Sequence, residues 1–199
     1  MDVHKKNLQE TERRALLTKE QRQSLHTKLE QIGAVYKGSA FLKDAYICPE
    51  SVNSLSEVEM NEVGSYSLRV RSKKVGTKTT VELNLKVITT YGDHNSWKEY
   101  EVTIDSYEEI VNILKMLGFK AFLNVEKTRS SYQYGRFNLE VEDIKDYGPI
   151  LEIETFSNIN SMANAKKSID DLFETLGIAN KQIVPKSVTN IIMKEKAVF

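Results

Sequence analysis

Apolar residues recur at helical spacing in three segments of the chain, residues 18–33, 106–118 and 164–177, and each segment ends at a glycine. Spacings of three and four residues place these apolar side chains on one face of a helix. Thr18 and Ser106 are expected to cap the first two helices, and a glycine suits the left-handed position that follows a helix. We therefore predict three amphipathic helices.

Between the helices, polar and apolar residues alternate, which is typical of half-buried strands. Seven runs show this alternation: residues 10–14, 67–71, 81–86, 98–102, 124–129, 137–142 and 151–154. Residues 49–65 and 89–96 are rich in turn formers and are predicted as loops. The order of elements favours an α+β fold with a barrel-like antiparallel sheet. We predict one domain over residues 1–199, with two loosely repeated halves, about 8–105 and 106–199.

The polar faces of these strands carry charged residues at successive same-face positions, often of like sign. Examples are the pairs Arg69 and Arg71, Lys127 and Arg129, and Glu152 and Glu154. Like charges at such positions lie about 7 Å apart and do not stabilise each other. One interpretation is that each polar face meets water. The other is that the sheet closes with its charged faces inward, around a ligand that carries compensating charge.

Two kinds of ligand would satisfy these charges. Arginine suits phosphate oxygens through its planar guanidinium group, so the basic strands favour a polyanion. Glutamates favour hard divalent cations, most simply Mg²⁺ or Mn²⁺. A polyphosphate bound with its metal ions satisfies both sets. The basic residues are Arg69, Arg71, Lys127 and Arg129, and the acidic residues are Glu10, Glu12, Glu152 and Glu154.

Composition narrows the classes of partner. The chain has 28 Lys and Arg residues against 28 Asp and Glu residues, so its zero net charge gives no support for a nucleic-acid or anionic-membrane partner. No apolar run approaches the ~20 residues needed to cross a bilayer. Cys48 is the single cysteine, which excludes an internal disulfide and fits a reducing compartment. We therefore expect a cytoplasmic protein with a small-molecule ligand.

In their order, these motifs resemble the CYTH family, also called triphosphate tunnel metalloenzymes. The opening Glu-x-Glu-x-Lys motif is similar to residues 10–14, with Arg14 in place of lysine. Glu142 falls at an acidic position of the family, and residues 184–187 resemble the segment after its last helix. The other matching motifs are Leu-Arg-x-Arg at 68–71, the lysine strand at 83–86, Glu-x-Glu at 99–101, Val-x-Lys-x-Arg-x-x-Tyr at 125–132 and Gly-x-x-x-Glu-Ile-Glu at 148–154.

The resemblance implies an eight-stranded antiparallel closed β-barrel with helices packed outside and a triphosphate-binding tunnel inside. It implies that Mg²⁺ or Mn²⁺ is held by Glu10, Glu12, Glu142, Glu152 and Glu154. It implies that the triphosphate is held by Arg14, Arg69, Arg71, Lys86, Lys127 and Arg129. Lys86, Lys127 and Arg129 are the candidate catalytic residues. Glu99 and Glu101 are expected to orient basic side chains or to bind metal through water.

Three functions fit this resemblance. The layout is most similar to class IV adenylyl cyclases, which convert ATP to cyclic AMP and pyrophosphate. The same site would suit a triphosphatase that hydrolyses thiamine triphosphate or inorganic triphosphate. The third hypothesis is a non-catalytic binder of a polyphosphate ligand. A homodimer is a candidate assembly for any of the three. No residue pattern identifies an adenine pocket.

Overall fold

A closed antiparallel sheet forms the body of the molecule, and the three α-helices whose bounds the structure describes pack against its outside. The computed structural model describes residues 9–58, 61–93, 96–158, 161–184, 190 and 192–193. The elements in chain order are β1 (Gln9–Leu16), α1 (Lys19–Gln31), β2 (Val35–Pro49), β3 (Tyr66–Val75), β4 (Lys78–Ile88), β5 (Ser96–Ile104), α2 (Tyr107–Met116), β6 (Phe119–Tyr134), β7 (Phe137–Ile144), β8 (Gly148–Ser157), α3 (Met162–Thr175) and β9 (Ile183–Val184).

Eight strands close into a ring in the order β5-β4-β3-β2-β6-β7-β8-β1, and β1 returns to β5. The closing contact, which we call the seam, consists of two described residue pairs, Glu10 with Trp97 and Thr11 with Ser96. The two-residue strand β9 pairs with β1 further along, at Arg14. The predicted α+β fold with an eight-stranded antiparallel closed barrel is confirmed. The predicted repeat of two halves stays a prediction.

The outer face of the barrel is apolar because the helices cover it. Along β8, Leu151 and Ile153 point outward and are fully buried beneath α1 and α3. Phe173 of α3 joins the same core. On the other side of the barrel, α2 packs over β3, where Val70 is fully buried, and over β6. The charged residues that alternate with these outward side chains therefore face the interior, which we call the tunnel.

One end of the tunnel is apolar. Tyr46 and Cys48 follow Asp44 on the inner face of β2, and Ile150 precedes Glu152 on the inner face of β8. These side chains form one buried cluster with Leu123, Val125, Ile144, Ile192 and Met193. We call this cluster the apolar end. It confines the charged side chains to the rest of the tunnel.

The helix ends confirm most of the predicted signals. The Thr18 hydroxyl accepts from the Gln21 backbone N–H, and the Gln21 side chain accepts in return from the Thr18 backbone. The Ser106 hydroxyl accepts from the Glu109 backbone N–H at the start of α2. Gly33, which follows α1, has a φ of 85°, a left-handed conformation that favours glycine. The third helix begins at Met162, slightly earlier than predicted.

The main difference from the sequence prediction is β2, which the predicted strands do not include. Its inner face mixes apolar residues with Asp44, so the chain lacks the clean alternation that marks the other strands. Pro49, placed in a predicted loop, is the last residue of β2. That loop also contains a short 3₁₀ turn, Leu55–Val58. Of the segment 184–187 that resembled the family tail, only Val184 lies within the described residues. No described helix is long and apolar enough to cross a membrane.

Candidate active site

The inner face of β1 carries three charged side chains that are almost fully buried. Glu10, Glu12 and Arg14 are 4%, 2% and 3% exposed, because residues two apart on a strand share the face that the barrel encloses. The antiparallel strand β8 places Glu154 opposite Glu12 and Glu152 opposite Arg14. We call these five side chains the acidic wall.

Three carboxylates of the acidic wall converge closely enough to hold one cation. Glu10, Glu12 and Glu154 each place one oxygen within 4.8 Å of the other two. Burial, with the nearby carboxylates Glu10 and Glu152, raises the pKa of Glu154 to about 8. Burial also raises the pKa of Glu10, although Lys86 opposes the shift. A hard divalent cation would relieve this crowding of oxygen ligands, so the donor set fits the predicted Mg²⁺ or Mn²⁺.

Glu152 sits in a different environment. Arg14 Nε donates to Glu152 Oε2 at 2.9 Å, and Arg14 Nη2 donates to Glu12 Oε1. Burial would raise the pKa of Glu152, but Arg14 and Arg129 contribute to an overall lowering. Glu152 therefore lies beside the group of three but is neutralised by a cation of the protein. Its predicted role as a metal ligand stays a prediction.

Lys86 of β4, which is separated from β1 by β5 alone, reaches the acidic wall. Its Nζ is 3.1 Å from Glu10 Oε1, 3.5 Å from Glu12 Oε2 and 3.7 Å from Glu99 Oε2. Burial would lower the pKa of Lys86, but these carboxylates raise it overall. The buried Trp97 adds a hydrogen bond that sequence reasoning missed, from its Nε1 to Glu12 Oε1 at 2.8 Å. Both contacts hold Glu12 in position.

The predicted supporting residues of β5 are the most exposed members of the site. Glu99 lies 3.7 Å from Lys86, and Glu101 accepts a 2.6 Å hydrogen bond from Asn84 Nδ2. Asn84 is buried and accepts in turn from Arg69 Nη2 at 3.1 Å. Glu101 is thus connected to a basic side chain through an amide. The supporting role assigned to Glu99 and Glu101 stays a prediction.

Asp44 holds the basic residues of β3 and was not among the predicted site residues. Its carboxylate accepts two hydrogen bonds from Arg71, at 2.6 and 2.7 Å. Arg69 Nη1 and Lys127 Nζ lie 3.8 and 3.7 Å from Asp44 Oδ2. Burial would raise the pKa of this fully buried carboxyl, but Arg69 and Arg71 lower it well below its usual range. Asp44 is therefore ionised between three cations.

Glu142 plays the corresponding part for the basic residues of β6. Lys127 Nζ lies 2.8 Å from its carboxylate, and Arg129 Nε donates to Glu142 Oε1 at 2.7 Å. Burial would raise the pKa of Glu142, but Arg129 and Lys127 lower it. Glu142 is outside the described group of three clustered carboxylates, and its predicted metal role stays a prediction. We call Arg69, Arg71, Lys127 and Arg129 the basic wall.

Carboxylates outnumber cations in the tunnel. We define the charge cluster as the acidic wall, the basic wall and six further residues, which are Asp44, Lys86, Glu99, Glu101, Glu140 and Glu142. Glu140 belongs to it because its carboxylate lies 3.8 Å from Arg129. Six cations face nine carboxylates in this cluster. Divalent cations would hold the crowded carboxyl groups in their ionised form and offset their charge, so a polyanion would bind more favourably with divalent cations than without them.

Three comparisons relate this chain to known proteins. The CYTH domain family matches residues 8–188. A protein of Methanocaldococcus jannaschii, named provisionally as an adenylate cyclase, is 30% identical over 91 residues, which cover 45% of this chain. That match covers 52% of the relative, so the chain spans about half the length of this curated protein.

Among solved structures, the protein PH1819 of Pyrococcus horikoshii OT3 has a TM-score of 0.79 at 20% identity, over 94% of this chain and 99% of that one. A Vibrio parahaemolyticus protein, named provisionally as an adenylate cyclase, has a TM-score of 0.75 at 13% identity, with the same coverage. At these identities the likeness shows the fold alone. The family match extends over both charged walls and the strands between them, and this chain belongs to the CYTH domain family.

Proposed function

We propose that this protein is a divalent-metal-dependent enzyme that acts on a triphosphate inside the tunnel. The reaction that we favour is that of an adenylyl cyclase, in which ATP gives cyclic AMP and pyrophosphate. One observation carries the proposal: three clustered carboxylates, those of Glu10, Glu12 and Glu154, share a buried tunnel with the four cations of the basic wall. Metal ligands and phosphate ligands are then available together.

The basic wall is the proposed phosphate site. The Arg71 and Arg129 guanidinium groups are already oriented by two-point contacts with Asp44 and Glu142. A guanidinium group held in this way keeps its remaining N–H groups in a fixed direction, which favours phosphate recognition. Burial strengthens each charge-assisted hydrogen bond relative to water. Asp44 and Glu142 therefore act as positioning residues in this proposal.

Lys86 and Arg14 place positive charge among the carboxylates of the acidic wall. Lys86 approaches Glu10 and Glu12, and Arg14 approaches Glu12 and Glu152. Both cations are placed to contact phosphate oxygens that lie beside the metal-binding carboxylates. A divalent cation, when bound at Glu10, Glu12 and Glu154, would neutralise charge that develops on the phosphate oxygens during transfer. Glu142 and Glu152 are further proposed metal ligands. They are weaker candidates than the group of three because each is already paired with cations of the protein.

The test is a product assay on the purified protein. ATP, thiamine triphosphate and inorganic triphosphate are incubated separately with Mg²⁺, with Mn²⁺ and with chelator, and the products are resolved by ³¹P NMR and chromatography. We expect cyclic AMP and pyrophosphate from ATP, dependent on metal. Release of orthophosphate instead would identify a triphosphatase in the same tunnel.

Two further results would count against the enzyme. Measurable triphosphate binding by calorimetry without turnover under any of these conditions would indicate a non-catalytic binder. Equal turnover in chelator and in metal would contradict the metal site, because the clustered carboxylates of Glu10, Glu12 and Glu154 would then hold no ion that the reaction needs.

A further inference from the structure

Asn138 is an uncharged residue on the inner face of β7, where Glu140 and Glu142 follow it at alternate positions. In the register of the sheet it lies opposite Glu154, and its Nδ2 donates to Glu154 Oε1 at 2.9 Å. When Glu154 is ionised it can only accept hydrogen bonds, so the amide then presents its NH₂ group to the carboxylate. None of the roles assigned above uses Asn138.

The partner of Glu154 is neutral, unlike the partners of other buried carboxylates in the tunnel. Among the described residues, Glu154 accepts a hydrogen bond from Asn138 alone and forms no ion pair, whereas Glu152 and Asp44 both accept from arginine. An arginine offsets the charge of the carboxylate that it holds, but an amide orients the carboxyl group without adding a compensating charge. Glu154 is thus oriented while its charge remains available to an ion that binds.

A neutral donor suits a carboxylate that binds a metal. Residues that hydrogen-bond to metal ligands fix the direction of the ligand oxygens, and their loss typically lowers metal affinity or activity by about 10–100-fold. An amide does this without competing with the metal for the carboxylate, as a lysine or arginine would. The group of three has a second neutral donor, because Trp97 Nε1 donates to Glu12 Oε1.

We infer that Asn138 is a positioning residue of the metal site, which acts through Glu154 and raises the affinity of the tunnel for a divalent cation. The inference rests on the proposed function, because a cation must bind at Glu10, Glu12 and Glu154 for the amide to have this effect. It also ranks the two glutamates of β8, since a neutral partner favours Glu154 over the arginine-bound Glu152 as a metal ligand.

Two variants test the inference: Asn138→Leu removes the donor at similar size, and Asn138→Lys keeps a donor but adds a positive charge. The matched control is Gln133→Leu. Gln133 lies opposite Asn138 on β6, and its amide donates to the backbone oxygens of Gly135 and Phe137, so none of its described contacts is with a carboxylate.

Mn²⁺ binding to each protein is measured without substrate, by electron paramagnetic resonance and by quenching of tryptophan fluorescence. Trp97 is the single tryptophan of the chain and is bonded to Glu12, so its quenching reports an ion at this site. Thermal unfolding in metal-free buffer gives the Tm of each variant. A purely structural role of Asn138 would lower the Tm of Asn138→Leu and leave its Kd for Mn²⁺ unchanged.

We expect the Kd for Mn²⁺ to rise by about 10-fold or more in Asn138→Leu and by about 100-fold or more in Asn138→Lys, where the added charge repels the ion. The Kd of Gln133→Leu should stay close to that of the wild type. A wild-type Kd in either Asn138 variant that folds, or an equal loss in Gln133→Leu and Asn138→Leu, would overturn the inference. Either result leaves the proposed function intact as long as the wild type binds Mn²⁺. A wild type that binds no Mn²⁺ would overturn the proposed metal site, and the inference with it.

Discussion

The crowded carboxylates of the acidic wall and the carboxylates that hold the basic wall come from the same alternating strand pattern, yet their pKa values are shifted in opposite directions. Glu10 and Glu154 meet other carboxylates, so burial and repulsion raise the pKa of each. Asp44 and Glu142 meet arginine and lysine, so their pKa values are lowered despite burial. A buried carboxyl group in this tunnel is therefore either crowded by other carboxylates or paired with a cation of the protein. The charges of the nearest side chains decide which.

The largest expected effect comes from removing the crowded carboxylates. The double substitution Glu10→Gln and Glu154→Gln replaces two of the three clustered carboxylates with neutral amides. Losing even a residue that only hydrogen-bonds to a metal ligand typically costs 10–100-fold, so losing two ligands should lower metal-dependent turnover by about 1,000-fold or more. Mn²⁺ binding, measured by electron paramagnetic resonance, should weaken in parallel. Glu126→Gln on the outer surface is the control, and equal loss in both proteins would contradict the distinction between the walls.

The main expected effect of Asp44→Asn is a loss of stability. The substitution leaves the cations of Arg71, Arg69 and Lys127 without their shared carboxylate in a buried site. We expect the free energy of unfolding to fall by about 3 kcal/mol, measured by urea denaturation. Inorganic triphosphate with Mg²⁺ should then raise the Tm of the variant more than that of the wild type, because phosphate supplies the missing negative charge.

The control for Asp44→Asn is Asp143→Asn, which removes a partly exposed ion pair with Arg22. That change should lower the free energy of unfolding by about 1 kcal/mol or less. Comparable losses in the two variants would show that Asp44 does not have the central position that the basic wall requires.

Arg129→Gln should weaken phosphate binding while sparing the metal. A charge-assisted hydrogen bond is worth about 1.5–3 kcal/mol, so the Kd for inorganic triphosphate should rise by about 10–100-fold. Mn²⁺ binding should change little, because Arg129 is bonded to Glu142 and not to the group of three. The exposed Arg136→Gln is the matched control. A wild-type Kd in the Arg129 variant would remove the second basic strand from the phosphate site.

The smallest effect concerns pH. A raised pKa means that folded Glu154 keeps a proton between its usual value of 4.5 and about 8, where the unfolded chain releases it. The resulting stabilisation of the folded state is fully present below pH 4.5. It decreases as the pH rises from 4.5 and is lost once the pH has passed about 8. We expect the Tm of the metal-free protein to fall by about 5 °C between pH 6 and 9, and Mg²⁺ to reduce the fall.

The matching variant is Glu154→Gln, which should show a flatter dependence of Tm on pH over the same range. Identical curves for the variant and the wild type, recorded by calorimetry in metal-free buffer, would mean that Glu154 does not carry this titration. The pairing of Asp44 and Glu142 with the basic wall should stabilise the fold at neutral pH and should be lost only in acid, because the pKa values of both carboxyls are lowered.

Much of the fold could be predicted because, along most strands, apolar residues that face outward alternate with charged residues that face the tunnel. The strand β2 escaped because Leu42, Asp44, Tyr46 and Cys48 share its inner face, so no polarity pattern separates the two sides. Its enrichment in aromatic and β-branched residues was the available signal.

The sequence predicts which residues belong to the candidate site but not which of them contact each other. Glu152 and Glu154 alternate in the same strand, and nothing local distinguishes them. Register does so, because Glu154 pairs across the sheet with Glu12 and Glu152 pairs with Arg14. Trp97 and Glu12 are likewise 85 positions apart, so their hydrogen bond is visible only in the folded barrel.

The seam has a consequence for how the protein is made. Arg14 and Glu152 are 138 positions apart, and the contact of β1 with β5 comprises two described residue pairs. At 5–20 residues per second, a ribosome needs on the order of 10 s to deliver β8 after β1 has emerged. For that interval the first strand, with its three charged tunnel residues, has no long pairing partner among the described strands. Metal-binding capacity should therefore appear late in translation, when β8 pairs with β1. Until then β1 is an exposed strand edge, so chaperones that shield such edges should matter most for β1.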